Sequence, residues 1–217
     1  MKHNAINKFG YRSGIVAFTA TVLFYLVQLL QILDLLQYPL DEILIYSFSL
    51  CICLPFLLEM LVLHHVAPQN KKIGSHAALI FTVMYGVFVI ANYVVQLATV
   101  IPMTIKGEGA GVQLLRQTPH SLFWDFDAIG YVFMGIATLC AVPVFGKSGF
   151  QKWVRYSFLA HSCVTPLIMF VYFYPVFSNR LLLLAMPWAI TAPLAMIMLA
   201  LSFKKNALNN AEVIISY

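Results

Sequence analysis

The side chains that could bind a solute or move a proton are few, and most of them interrupt long apolar segments. Of the 217 residues, 13 are basic, 8 are acidic and 6 are histidine. A charged or amide group in an apolar setting is costly and faces the interior of a helix bundle, which makes it a candidate for function. The candidates for a solute site are Gln28, Gln31, Asn92, Gln96, Asp127 and Tyr131.

Residue spacing gives several of these candidates a shared direction. Tyr85, Asn92 and Gln96 stand at i, i+7 and i+11, which places them on one stripe of a helix. Asp127 and Tyr131 are four residues apart on the next predicted helix. If these stripes converge with the two glutamines of the first predicted helix, they line a polar cavity for a cation, an amine or a hydrogen-bonding solute. The alternative is an interhelical hydrogen-bond network that holds no ligand.

A second pair of polar groups is predicted in the other half of the bundle. Glu59 lies about 10 Å from the end of its predicted helix, and His161 is expected at a similar depth. Contact between them would lessen the cost of burying each group, and such a pair could relay protons in a coupled transporter. The alternatives are a purely structural pair, or no contact if the two helices are not neighbours.

The sequence has no residue set with the spacing of a metal, haem or hydrolase site. The four cysteines form no C-x-x-C pair, and no H-E-x-x-H, G-x-S-x-G or P-loop spacing occurs. His161 is expected about two turns deeper than His64 and His65, which disfavours a bis-histidine haem. We therefore predict no catalytic residues, no metal and no cofactor, and the sequence favours a non-enzymatic protein.

The elements that must position these residues are predicted to be membrane helices. The chain is 61% hydrophobic and 10% charged, with a mean hydropathy of +0.85, whereas soluble domains are about half apolar and a quarter charged. A membrane span needs about 20 mostly apolar residues. Six stretches qualify, at 15–36, 43–66, 76–102, 121–146, 154–176 and 181–203. They occupy most of residues 1–217, which predicts an all-α fold in a single transmembrane domain.

The basic residues divide unequally between the two sides of this predicted bundle. Six spans place both termini on one side, and every basic residue except Lys106, Arg116 and Arg180 falls on that side. By the positive-inside rule, this asymmetry predicts cytoplasmic N- and C-termini. The topology also explains the net charge of +5, so we predict no nucleic-acid partner.

Three stretches resemble segments of small bacterial integral membrane proteins. They are Asp41–Tyr46 (DEILIY), Gly130–Gly135 (GYVFMG) and Pro143–Gly146 (PVFG). Over most of residues 15–203 the chain resembles an uncharacterised family of six-span bacterial membrane proteins. The resemblance implies a multi-pass protein of the bacterial inner membrane, and it implies no activity, cofactor or catalytic residue.

The leading functional hypothesis is a small transporter or solute-binding membrane protein with a polar site in its outer half. Its partners would be the lipid bilayer and a small polar or cationic solute. The main alternative is a structural or regulatory subunit, whose polar residues pack its own helices or those of a protein partner or second copy. A further alternative is an intramembrane enzyme acting on lipid or quinone, which would need a Ser–His or Glu–His cluster open to lipid.

Overall fold

A computed structural model of the chain describes residues 2–206, and this range is helical, with no strand. Its long helices are α1 (Lys2–Ile32), α2 (Leu40–Val66), α3 (Lys72–Val95), α4 (Leu122–Ala141), α5 (Gly149–Phe173) and α6 (Trp188–Lys204). Within residues 2–206, six helical segments are long and apolar enough to cross a membrane. The predictions of an all-α fold and of six spans are therefore confirmed, and the chain is a multi-pass integral membrane protein.

Shorter helical segments extend or connect the long helices. α3 continues through a π-helical turn, Gln96–Val100, into a last α-helical turn, Ile101–Ile105. The remaining segments are 3₁₀ turns at Gln69–Lys71, Gly109–Leu115, Val142–Val144 and Leu183–Ala185, and a single α-helical turn at Asn179–Leu182. The turns Asn179–Leu182 and Leu183–Ala185 lead into α6, so the sixth span, Arg180–Lys204, is not one continuous α-helix before Trp188.

The six long helices form a closed ring in which each packs against its neighbours in the sequence. α1 contacts α2, the pattern continues along the chain, and α6 packs back against α1. Successive helices run in opposite directions, so α1 begins and α6 ends at the same end of the bundle, which we call the terminal end. The other end is the distal end. α2 and α5 are not neighbours in this ring.

The exterior of the ring is apolar, and its interior is built mainly of apolar side chains around a few buried polar ones. Inside, the rings of Phe56 and Tyr85 meet edge to face with centroids 6.1 Å apart, and Met134 and Met196 are fully buried. Outside, large apolar side chains such as Val87 stay exposed along the helices. An exterior of this kind suits hydrocarbon rather than water, which agrees with contact to a lipid bilayer.

α1 differs most from its predicted span, because it begins at Lys2 rather than near residue 15. Its polar first turns extend beyond the apolar segment, and Asn7 Nδ2 donates to Asn206 Oδ1 at 2.6 Å, which ties this extension to the end of α6. The helix also ends at Ile32, earlier than predicted. Asp34 adopts a left-handed φ of 55°, and Leu35 N donates to Leu30 O at 2.9 Å, which is a Schellman cap.

Two local features set the register of the helices that carry Asp127 and Gln96. Ser121 caps α4, since its Oγ accepts from Trp124 N at 3.2 Å, and this start places Asp127 in the second turn. In α3 the π-helical turn precedes Pro102, which lacks an amide donor and would clash with the preceding turn of a regular α-helix. The wider turn accommodates the proline and rotates Gln96 relative to the helix after it.

Basic side chains close helix ends at the terminal end. Lys71 Nζ donates to Val144 O at 2.9 Å, and Arg155 Nη1 donates to Val142 O at 3.1 Å. Both bonds satisfy carbonyl groups at the C-terminus of α4, where a positive charge also complements the helix dipole. The side of the membrane that this end faces stays a prediction from the charge asymmetry.

Candidate functional site

A buried carboxylate near the distal end is held by tyrosine hydroxyls from two other helices. Asp127 is only 4% exposed. Tyr93 of α3 donates to its Oδ1 at 2.6 Å, and Tyr172 of α5 donates to its Oδ2 at 2.5 Å. Asp125, two residues away on α4, is exposed instead, as expected for positions about 200° apart around a helix. The two hydroxyls thus link α3, α4 and α5 through one carboxylate.

Aromatic rings border this carboxylate on several sides. The hydroxyl of Tyr131 lies 3.3 Å from that of Tyr93, and the ring of Tyr93 stacks on Tyr46 with centroids 5.5 Å apart. Trp124 packs on Tyr172, with ring centroids 4.5 Å apart. Together these residues form an aromatic wall contributed by α2, α3, α4 and α5.

The two predicted amides of α3 contact the loop that crosses the distal end. Asn92 Nδ2 donates to Gln117 Oε1 at 3.0 Å, and Gln96 Nε2 donates to Leu115 O at 2.7 Å. Gln96 Oε1 in turn accepts from Gln117 N at 3.2 Å. The segment Leu115–Gln117 therefore lies over the carboxylate and closes it from the distal end.

One acceptor in this region lacks a donor. Asn92 Oδ1 is buried and has no hydrogen-bond partner, while the amides of Asn92 and Gln117 both lie next to Asp127. An unpaired buried amide oxygen costs free energy unless another molecule supplies a donor. We call Asp127, Tyr93, Tyr131, Tyr172 and Asn92 the Asp127 cluster. Chemically, this cluster can accept hydrogen bonds from a cation and border it with aromatic rings.

The predicted residues of α1 do not join the Asp127 cluster. Gln31 Nε2 donates to Asp41 Oδ2 at 2.6 Å, which connects the distal ends of α1 and α2. Gln28 is half-buried, and no hydrogen bond of its side chain is present among residues 2–206. Of the three predicted stripes, those of α3 and α4 meet, and that of α1 does not. The third helix at Asp127 is instead α5, which contributes Tyr172.

Glu59 and His161 do not meet. His161 Nδ1 lies 3.2 Å from Thr191 Oγ1, and its ring is 6.3 Å from that of Trp188, near the aromatic wall. Glu59 is fully buried, and neither of its carboxyl oxygens has a hydrogen-bond partner. α5 begins at Gly149 rather than near residue 154, which puts His161 about 18 Å from the terminal end at the helical rise, deeper than expected. A direct Glu59–His161 pair is thus not formed.

The histidines of the terminal end hold helix ends together. His64 Nδ1 lies 3.0 Å from Ser75 Oγ, and Lys72 Nζ donates to the carbonyls of His64 and His65. A groove of about 380 Å³ passes these residues, far from Asp127. The ring of His76 also meets that of His64 edge to face, with centroids 5.3 Å apart.

Within the described part of the chain, no three His, Cys, Asp or Glu side chains meet as a metal site. Its four cysteines are free thiols. Glu59 and His161, the pair predicted as a proton relay, are 0% and 1% exposed, so neither side chain opens towards lipid.

The sequence did not predict that Tyr93, Gln117 and Tyr172 lie at this site. Tyr93 stands next to Asn92 and one turn before Gln96, so a wider stripe on α3 would have included it. Gln117 lies in the loop and Tyr172 lies at the end of α5, and no sequence spacing relates either of them to Asp127. Only the packing of α5 on α4 brings the Tyr172 hydroxyl to the carboxylate.

No protein-family model, no curated protein and no solved structure matches this chain.

Proposed function

We propose that this protein is a small transporter or solute-binding membrane protein and that its solute, a small organic cation, binds at the Asp127 cluster. The observation that carries the proposal is an enclosed carboxylate bordered by tyrosine rings and by an amide oxygen without a donor. A carboxylate balances the charge of a cation, aromatic faces attract it, and the free oxygen accepts an N–H group.

Entry of the solute would begin at the loop over the cluster. Lifting Leu115–Gln117 breaks its hydrogen bonds to Asn92 and Gln96, which leaves both amides free to bind a solute. Gln96 begins the π-helical turn, and such turns occur frequently at functional sites. With cytoplasmic termini in a bacterial inner membrane, as the charge asymmetry and the resemblance imply, this opening would face the outer side.

The test compares organic cations with neutral molecules of the same shape. Phenethylammonium and tetramethylammonium, set against phenethyl alcohol and tert-butanol, should raise the thermal stability of the purified protein selectively. Saturating binding at ten times Kd stabilises by about 1.4 kcal/mol. Asp127→Asn and Asn92→Ala should each reduce this gain, whereas Asp125→Asn, on the exposed side of the same helix, should retain it. Equal stabilisation by the neutral molecules, or an undiminished gain in Asp127→Asn, would contradict the proposal.

One observation favours the alternative of a structural or regulatory subunit. Asp127 already accepts two hydroxyl donors, and Gln96 is bonded to the loop at both its amide nitrogen and its oxygen, so the network is nearly complete without a ligand. A structural subunit should be isolated from its own membrane in a fixed ratio with another protein. Native mass spectrometry after gentle extraction distinguishes that complex from a chain that retains a small solute.

A further inference from the structure

The carboxyl group of Glu59 is the least compensated polar group of the described chain. It is fully buried in α2, and both of its oxygens lack a hydrogen-bond partner. It lies about 10 Å from the terminal end at the helical rise, whereas Asp127 lies about 8 Å from the distal end. The two acids therefore occupy opposite halves of the bundle, and Glu59 takes no part in the Asp127 cluster.

The surrounding helices make room for this carboxyl group with their smallest residues. A Cβ atom on Gly14 of α1 would lie 2.2 Å from Glu59 Oε1 and 2.6 Å from the Cβ of Ala200 on α6. One turn closer to the terminal end, a Cβ on Gly10 would lie 2.7 Å from Val62 and 2.8 Å from Phe203. Gly10 and Gly14 form a G-x-x-x-G pair, a spacing that lets membrane helices approach closely.

The contacts at Gly10 separate Glu59 from water at the terminal end. Val62 and Phe203 are 3% and 2% exposed, and Leu63 beside them is fully buried. Water or an ion can reach the carboxyl from that end only if α1 moves away from α2 and α6. We call Gly10, Val62 and Phe203 the terminal plug.

No charged side chain compensates Glu59. The helices packed on α2 are α1, α3 and α6. The described titratable groups in the terminal halves of these four helices are Lys8, Tyr11, Arg12, His64, His65, Lys72, His76 and Lys204. Lys8, Arg12, His65, His76 and Lys204 are exposed, and the others have partners elsewhere: Ser75 for His64, the carbonyls of His64 and His65 for Lys72, and Lys204 for the ring of Tyr11. A metal ion would need several oxygen ligands, and the residues in contact here, Gly14 and Ala200, offer no side-chain oxygen.

We propose that Glu59 is a proton-binding site that controls the terminal plug. With its proton bound, the neutral carboxyl fits against Gly14 and Ala200, and α1 stays packed on α2 and α6. When the proton passes to water, the carboxylate that remains needs hydration, so α1 separates at Gly10 and the terminal end opens. A role for this proton in driving solute movement rests on the proposed function. Proton binding at Glu59 and opening of the terminal plug do not depend on it.

Infrared spectroscopy tests whether Glu59 holds a proton in the membrane, and it needs no reagent to reach this buried group. The C=O stretch of a protonated carboxyl group is separate from the bands of a carboxylate. In proteoliposomes at acidic pH, the spectrum of the wild type minus that of Glu59→Gln should contain one protonated-carboxyl band, which is absent from the wild type minus Asp125→Asn. Carboxylate bands in place of the protonated-carboxyl band would overturn the proposal.

A cysteine in the terminal plug tests the opening. Val62→Cys is built into a chain whose four native cysteines are replaced by serine, and a charged, membrane-impermeant thiosulfonate is the probe. The modification rate, divided by the rate in the same chain carrying Glu59→Gln, should rise by up to about tenfold per pH unit while Glu59 loses its proton. The ratio cancels the pH dependence of the thiol. A ratio that stays at one across the pH range would overturn the proposal.

These results are independent of the solute site. A chain that shows the protonated-carboxyl band and pH-dependent opening but no preference for organic cations keeps the proton site and loses the proposed function. A chain that binds cations but shows neither the band nor the opening keeps the proposed function and loses the proton site.

Discussion

The two buried acids of this protein are accommodated in opposite ways. Asp127 is surrounded by donors, because α3 and α5 each direct a tyrosine hydroxyl to it. Glu59 is packed against small apolar residues, because Gly14 and Ala200 leave room for its carboxyl group and supply no donor. The first arrangement stabilises a charged carboxylate and links three helices. The second stabilises only a neutral carboxyl and leaves the packing of α1 dependent on it.

Removal of the Asp127 carboxylate should have the largest effect on stability. Asp127→Ala leaves the hydroxyls of Tyr93 and Tyr172 buried without their acceptor, at about 1–3 kcal/mol for each unsatisfied group, so the loss should be about 3 kcal/mol. The measurement is the free energy of unfolding by SDS titration from mixed micelles. Asp125→Ala, exposed on the same helix, should change it by less than about 1 kcal/mol. A similar loss in both variants would show that the tyrosine bonds contribute little.

Crowding the carboxyl group of Glu59 should have the next largest effect on stability. In Gly14→Ala the new methyl group meets both Glu59 Oε1 and the Cβ of Ala200, and overpacking of this kind costs about 1–3 kcal/mol. The matched control is Gly111→Ala in the distal loop, where the nearest atom to an added Cβ, Met103 Cε, is 3.9 Å away. Equal unfolding free energies for the two variants would mean that α1 is not tightly packed at Gly14.

Replacing Glu59 by an apolar residue should stabilise the protein, in contrast to removal of the Asp127 carboxylate. Glu59→Met keeps the side-chain length and removes an unpartnered polar group, so the free energy of unfolding should rise by about 1 kcal/mol or more. Glu59→Gln should stay near the wild type, because an amide without partners carries a similar burial cost. A loss of stability in Glu59→Met would show that Glu59 has a favourable interaction in the folded protein. The two buried acids would then not differ in the way described above.

Much of the candidate site could be predicted because α3 and α4 are regular helices through the relevant turns. The spacing of Asn92, Gln96, Asp127 and Tyr131 follows from the helical repeat alone, and all four lie in or beside the Asp127 cluster. The depth of His161 could not be predicted to the same accuracy. Hydropathy locates only the apolar part of a span, whereas α5 begins earlier, in the polar residues before it. His161 therefore lies deeper than predicted, near Trp188.

The sequence by itself determined the class of protein, the number of spans and the polar residues that lie within those spans. These properties follow from the thickness of a bilayer, the rise of a helix and the cost of a polar group in hydrocarbon. Only the tertiary structure decided the partners. The closed ring separates α2 from α5, so Glu59 and His161 cannot pair, while Tyr172 reaches Asp127 and Gly14 reaches Glu59. Contacts between helices depend on their order and rotation in the bundle, which the spacing within each helix does not specify.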